Sequence, residues 1–162
     1  MTTTFSSKAA QFAALVAPFP AEAVEQRSQG GETFFYYPVD LLRQRLNEVF
    51  PASYDFHVNK VITTEGNVDM SCILTLYWVD GTKNSVEEWG SSDILRSERN
   101  NRRVNDPTKT ASSDALKRCL AFFGCGGELY NKEFRESLKK QAEALPPRKE
   151  RNFGSKPAPA QA

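Results

Sequence analysis

Residues 108–124 read Thr-Lys-Thr-Ala-Ser-Ser-Asp-Ala-Leu-Lys-Arg-Cys-Leu-Ala-Phe-Phe-Gly, and this stretch decides the fold. At about 100° per residue, it separates into one apolar and one polar side, which predicts an amphipathic helix. Pro107 stands ahead of it and Gly124 ends it, both where helix ends favour these residues. The apolar side holds Ala111, Ala115, Leu116, Cys119, Leu120, Phe122 and Phe123. The polar side holds Thr110, Ser113, Asp114, Lys117, Arg118 and Ala121.

The polar side of this helix carries an adjacent pair of cations, Lys117 and Arg118. Two cations fixed on a rigid element suit a phosphate backbone. An ordinary solvated helix face has the same pattern. The helix by itself therefore leaves both interpretations open.

Length and composition predict one domain over residues 1–145 and a disordered basic tail over 146–162. The net charge is only +1, so any affinity for nucleic acid must come from clustered cations. Three cysteines without a pairing pattern favour a reducing, cytoplasmic location. No apolar run approaches the about 18–20 residues that span a bilayer, so we expect no membrane partner.

The segments before the middle of the chain predict two helices and a hairpin. A helix over 6–17 would place Ala9, Phe12, Ala13 and Val16 on one apolar face. Strands over 24–28 and 33–37 would flank the turn at Gly30-Gly31. A second helix over 39–50 would bury an apolar stripe and place Arg43 outside.

The middle of the chain predicts three strands, over 54–64, 68–79 and 83–89. The second alternates strictly, and Asp80-Gly81 is a strong hairpin signal before the third. We therefore predict an α+β fold, in which an antiparallel three-stranded β-meander packs on a long core helix (a β-β-β-α core) with flanking helices and short strands. Asn131 is the predicted N-cap of a last helix over 132–145.

The loop before the long helix is rich in arginine. Beside the basic helix, such a loop is a candidate arm for gripping a nucleic-acid backbone, and a solvated loop fits equally well. The cations of this segment are Arg96, Arg99, Arg102, Arg103 and Lys109.

Two stretches and their order resemble a known family. The segment Ala-Ser-Ser-Asp-Ala-Leu-Lys-Arg-Cys-Leu-Ala-Phe-Phe-Gly follows a meander, and Tyr-Pro-Val-Asp-Leu-Leu-Arg-Gln-Arg-Leu-Asn-Glu-Val-Phe (37–50) precedes it. Together they resemble the Rad-fifty-two superfamily of single-strand annealing proteins, of the bacterial and phage, DdrA-like type. The resemblance covers about residues 12–135.

The resemblance implies a ring or partial ring with single-stranded DNA in an outer basic groove, and a role in recombination and repair, close to the nucleoid. It also implies that annealing needs no ATP or other cofactor, and that Lys117 and Arg118 line the groove with Lys109 nearby. Eukaryotic relatives carry a further base where this chain has Ala121. The Arg-rich loop is a candidate replacement for that base. The candidate DNA-binding residues are Lys117, Arg118, Lys109, Arg96, Arg99, Arg102, Arg103, Arg43 and Lys83.

Several alternatives stay open at this point. Glu87, Glu88 and Asp93 are candidate Mg²⁺ ligands of a metal-dependent nuclease. Adjacent residues of a strand point to opposite faces, so Glu87 and Glu88 would not both bind one metal ion. A protein that only coats or protects single strands is the other alternative. Tyr36, Tyr37 and Trp89 could stack on bases or serve the core. A single-strand-binding protein and a phage exonuclease are candidate partners.

Overall fold

The structure is a computed structural model, and it describes residues 4–29 and 32–144. These residues form a mixed α/β chain with four α-helices and a three-stranded antiparallel sheet. The predicted tail over 146–162 lies outside the described residues. The helices are α1 (Lys8–Leu15), α2 (Val39–Val49), α3 (Pro107–Phe122) and α4 (Lys132–Ala144). The strands are β1 (Glu25–Gln29), β2 (Glu32–Tyr36), β3 (Tyr54–Thr63), β4 (Asn67–Tyr77) and β5 (Lys83–Asp93), and a 3₁₀ turn spans Gly127–Tyr130.

The sheet has the order β3-β4-β5, and each strand is antiparallel to the next. The predicted turn between β4 and β5 is present, but its loop has three residues, 79–81, and not the two that Asp80-Gly81 predicts, since the Trp78 amide donates to the Thr82 carbonyl at 2.8 Å. Gly81 takes a positive φ of +81° in this loop. Strand β4 lies in the centre and alternates as its sequence predicts. The side chains of one face are all buried: Val68, Met70, Cys72, Leu74 and Leu76.

Helix α3 packs on this buried face of the sheet. Asp106 caps its start by accepting a hydrogen bond from the Lys109 amide at 3.0 Å, and Pro107 occupies the first turn. Gly90 of β5 faces Ala111 and Ala115 of the helix without a side chain in between. The apolar side of α3 therefore sits against the sheet, which leaves its polar side outward.

The predicted apolar side of α3 is wrong at one residue. Ala111, Ala115, Leu116, Cys119 and Leu120 are buried, but Phe122 is 68 % exposed. Phe122 lies in the last turn, and its ring meets the Phe123 ring edge-on at 5.8 Å between centroids. Helical periodicity places Phe122 on the buried side, but the packed core ends before the helix does.

Helix α1 is present, but its predicted apolar face is wrong. Gln11 and Leu15 are buried, whereas Ala9, Phe12 and Ala13 are exposed. The Gln11 side-chain amide donates to the Val49 carbonyl at 3.0 Å, and its oxygen accepts from the Val79 amide at 2.9 Å. The helix turns this polar residue inward because it satisfies two backbone groups there.

The other predicted elements are present, although β5 runs to Asp93, four residues beyond its predicted end. Strands β1 and β2 form an antiparallel hairpin with Glu25 opposite Tyr36. Helix α2 buries Leu42, Leu46 and Val49. The Asn131 side chain caps α4 by accepting from the Glu133 amide at 2.9 Å. In the part of the chain that the structure describes, no helix has both the length and the apolarity to cross a membrane.

Candidate nucleic-acid interface

A cleft of about 850 Å³ runs between the β1–β2 hairpin, the polar side of α3 and helix α4. Its lining combines cations, carboxylates and aromatic rings. The residues are Glu32, Thr33, Phe34, Phe35, Tyr36, Tyr37, Leu42, Asp114, Lys117, Arg118, Ala121, Cys125, Gly126, Leu129, Tyr130, Lys132, Arg135, Glu136 and Lys139.

Lys117 lies at the meeting point of α3 and the hairpin. It is half-buried, and its Nζ atom lies 5.1 Å from the centroid of the Tyr36 ring. Burial lowers the pKa of Lys117, and the nearby Arg27 lowers it further, while the Asp114 and Glu25 carboxylates raise it. This ammonium group is already partly desolvated and held against a ring, so it is positioned before any ligand arrives.

Arg118 is the more exposed cation of the pair, with 57 % of its side chain accessible. Its Nε atom donates to Asp114 Oδ2 at 3.1 Å, one helical turn away. Within the described residues, neither Nη1 nor Nη2 makes a hydrogen bond. The end of the guanidinium fork therefore remains free for an anion.

The hairpin wall of the cleft is fixed by carboxylates. The Tyr36 hydroxyl donates to Glu25 Oε2 at 2.8 Å. Glu128 Oε1 accepts from both the Tyr37 hydroxyl and the Phe19 amide, each at 2.8 Å. Burial and then this hydrogen bond raise the pKa of Tyr37 well above its ordinary value. Both tyrosines border the cleft, but Tyr37 serves the core, with 3 % of its surface exposed, and Tyr36 is the more exposed of the two.

The other wall is helix α4. Its buried Leu138, 5 % exposed, packs toward the protein. Lys132, Arg135 and Lys139 all line the cleft, and they follow the three- and four-residue spacing of one helix face. The ion pair between Lys132 and Glu136 is loose, with 3.9 Å between Nζ and Oε1.

The chemistry of the cleft suits an anionic chain that carries flat apolar groups. Five cations face three carboxylates. Phe34 is 41 % exposed and Tyr130 is 71 % exposed, so both rings offer stacking surface beside those charges. In the described ranges, no group of three His, Cys, Asp or Glu side chains could hold a metal ion. Glu87, Glu88 and Asp93, the candidate metal ligands of a nuclease, therefore do not form such a group.

The structure brings together only part of the predicted set. Lys117 and Arg118 line the cleft, and the other candidates do not. Arg96 borders a separate cavity with Glu65 and Asn101, and its backbone forms an isolated bridge with Arg103. Exposed positions hold Arg99, Arg102, Lys109 and Lys83, while Arg43 on α2 is half-buried.

The sequence interpretation missed several cations that lie at or beside the cleft. Lys132, Arg135 and Lys139 line it, and Arg27 of β1 is near enough to Lys117 to lower its pKa. The three- and four-residue spacing of the three α4 cations was the available signal. No comparable signal exists for Arg27, because only the hairpin's fold over α3 brings it near Lys117.

The chain matches a known protein family. Residues 8–147 match the family described as Rad52/22 family double-strand break repair protein. That span covers most of the chain and includes all four helices and both sheets. No curated protein matches the chain.

Proposed function

The chain belongs to the Rad52/22 family of double-strand break repair proteins, and we propose that it binds single-stranded DNA in the cleft and anneals complementary strands without ATP. The observation that carries this proposal is the Lys117–Arg118 pair, held on a core helix at the floor of a cleft that aromatic rings also line. The resemblance of the 108–124 segment to single-strand annealing proteins supports the same assignment.

The cations of the cleft would hold the phosphates. Lys117 is pre-positioned against Tyr36, and Arg118 offers the open end of its fork. Lys132, Arg135 and Lys139 face them from α4. Phosphate binding releases condensed counterions, which supplies affinity and makes it depend on salt. Such contacts carry no sequence information, so we expect weak sequence preference.

The aromatic side chains of the cleft would hold some of the bases. Tyr36, Phe34 and Tyr130 lie among the cations, and base stacking is worth about 1–3 kcal/mol per base. Annealing then requires base edges to stay accessible to a second strand. Watson–Crick pairing supplies the driving force, so the proposal needs no cofactor and no covalent step.

A single cleft grips few nucleotides, so we also propose assembly into a ring or partial ring. Repetition of the cleft along one strand turns several weak attachments into one strong attachment. The exposed apolar side chains outside the cleft, which include Val58, Val61 and Phe122, provide surface for contact between copies.

The remaining predicted cations would form a second contact surface. Arg96, Arg99, Arg102 and Arg103 belong to the loop before α3, and Lys109 lies in the first turn of that helix. Lys117 is eight residues after Lys109, which corresponds to about 12 Å along the helix. We propose that this surface, with Arg43 and Lys83 as further contacts, engages DNA outside the cleft.

The test is annealing of two complementary labelled oligonucleotides by the wild type and by Lys117→Ala/Arg118→Ala, without nucleotide or metal. We expect the wild type to accelerate pairing and the double variant to lose most of that acceleration. The double variant should also bind an oligothymidylate more weakly, with a salt slope that is shallower by about 0.7 to 1.4, since each full phosphate contact on a single strand contributes about 0.7.

Two outcomes would contradict the proposal. Binding with an unchanged salt slope in the double variant would show that the cleft is not the DNA site. Binding without any acceleration of pairing would leave a protein that coats or protects single strands. Glu48→Gln on the exposed side of α2 serves as a folded variant with one altered charge outside the cleft.

A further inference from the structure

We infer that Asp114 is a built-in competitor for the DNA phosphate at Arg118, which limits the protein's grip on a strand and speeds its release. This inference rests on the proposed function and concerns how the cleft lets DNA go. Asp114 carries the opposite charge to the cations that would hold the phosphates, and it lines the same cleft.

The geometry places the Asp114 carboxylate on the same guanidinium group whose open end would bind a phosphate. Its Oδ2 atom accepts from Arg118 Nε at 3.1 Å. The same oxygen accepts from the Ser91 amide of β5 at 3.4 Å, so the sheet helps to fix the carboxylate. Asp114 is also close enough to Lys117 to raise the pKa of that ammonium group. One carboxylate therefore faces both members of the cation pair.

This pairing changes what a phosphate gains on binding. A free arginine on the surface is neutralised only by anions from solution. When it binds a phosphate, condensed counterions are released from the DNA, and this release favours binding. Arg118 already has a protein carboxylate as its counterion. An incoming phosphate must share the guanidinium with Asp114 and lies near a like charge, so part of the favourable electrostatic energy is cancelled.

Partial cancellation suits an annealing protein. Two strands that have paired must leave the cleft, or the next segment cannot be brought together. Most affinity differences within a related series of complexes appear in the dissociation rate. A carboxylate that competes at Arg118 should therefore shorten the time for which a strand stays bound.

The experiment compares Asp114→Asn with the wild type for binding and dissociation of a labelled oligothymidylate over a series of salt concentrations. Asparagine keeps the size of the side chain and an acceptor for the Ser91 amide, but removes the charge. We expect about two- to fivefold tighter binding, the range of an exposed ion pair. The salt slope should steepen by at most about 0.7, since Asp114 cancels only part of the Arg118 contact, and dissociation should slow by about the same factor as the affinity gains.

The control Glu48→Gln changes the net charge by the same amount on a helix surface outside the cleft, and its salt slope should match the wild type. In the Arg118→Ala background, Asp114→Asn should lose most of its effect, because the competition requires the guanidinium. Asp114→Ser is measured alongside, so that a folding defect specific to asparagine does not decide the result.

The inference is overturned if folded Asp114→Asn and Asp114→Ser bind no tighter than the wild type, or if Glu48→Gln tightens binding equally. Weaker binding would mean that Asp114 orients Arg118 for DNA instead of competing with it. The failure of the proposed function looks different. In that case Lys117→Ala/Arg118→Ala binds like the wild type, whatever the Asp114 variants do.

Discussion

At the scale of single residues, Gly90 sets how closely the sheet and α3 approach each other. A Cβ atom at this position would lie 2.0 Å from the Ala111 carbonyl oxygen and 2.4 Å from the Ala115 amide nitrogen. Both are backbone atoms of a regular helix, so no side-chain rotation can relieve the clash. The position of Lys117 and Arg118 above the sheet therefore depends on a residue that carries no functional group.

Gly90→Ala should destabilise the protein strongly. The helix must move away from β5, and overpacking of this kind costs about 3 kcal/mol or more when backbone atoms clash. Urea or thermal unfolding followed by circular dichroism measures the loss. Gly66→Ala is the matched control, since a Cβ at Gly66 meets nothing within 4 Å. Equal stability of the two variants would contradict the close contact between β5 and α3.

Sequence patterns could not assign this role to Gly90. A glycine after an apparent strand is typical of a strand end, and the predicted third strand accordingly stopped at residue 89. The strand continues to Asp93 because the missing side chain makes room for the helix. Sequence patterns are limited in the same way for Asp114. Helical periodicity places it on the polar side of α3, but it does not predict the hydrogen bond from the Ser91 amide of β5.

At the scale of elements, α1 is held by a buried polar contact. Gln11 is 4 % exposed and joins the end of α2, at Val49, to the β4–β5 turn, at Val79. Hydrophobic periodicity predicted a different buried face because it counts apolar side chains alone. It succeeds for α2 and most of α3, where the buried surface is a continuous apolar stripe.

Gln11→Ala should destabilise the protein by about 1–3 kcal/mol, since it leaves the Val49 carbonyl and the Val79 amide without their partner. Gln44→Ala on α2 provides the same substitution at an exposed residue, whose amide reaches only Glu48 at the surface. Chemical unfolding curves of the two variants give the difference. If Gln11→Ala were as stable as Gln44→Ala, the bridge between α2 and the turn would contribute nothing.

At the scale of the whole molecule, two groups of cations can be distinguished. One group lines the cleft between the hairpin, α3 and α4, and the other occupies the loop before α3. The sequence predicted the loop cations and the Lys117–Arg118 pair as one interface because they are close along the chain. In the structure, the loop residues do not line the cleft. The Arg-rich loop therefore lies outside the cleft that Ala121 lines.

Ala121 is the position at which this separation can be tested. It lines the cleft one turn after Lys117, on the same side of α3. Ala121→Arg adds a cation one helical turn beyond Lys117. The backbone of a strand whose phosphate is held by Lys117 would pass this position along the helix. If the cleft is the DNA site, the variant should bind oligothymidylate several-fold more tightly, and its salt slope should steepen by about 0.7.

Ala13→Arg on the exposed surface of α1 adds the same charge outside the cleft, so its slope should equal that of the wild type. Equal slopes for both variants would mean that net charge, and not the cleft, governs binding, whereas a gain confined to Ala121→Arg would locate the strand along α3.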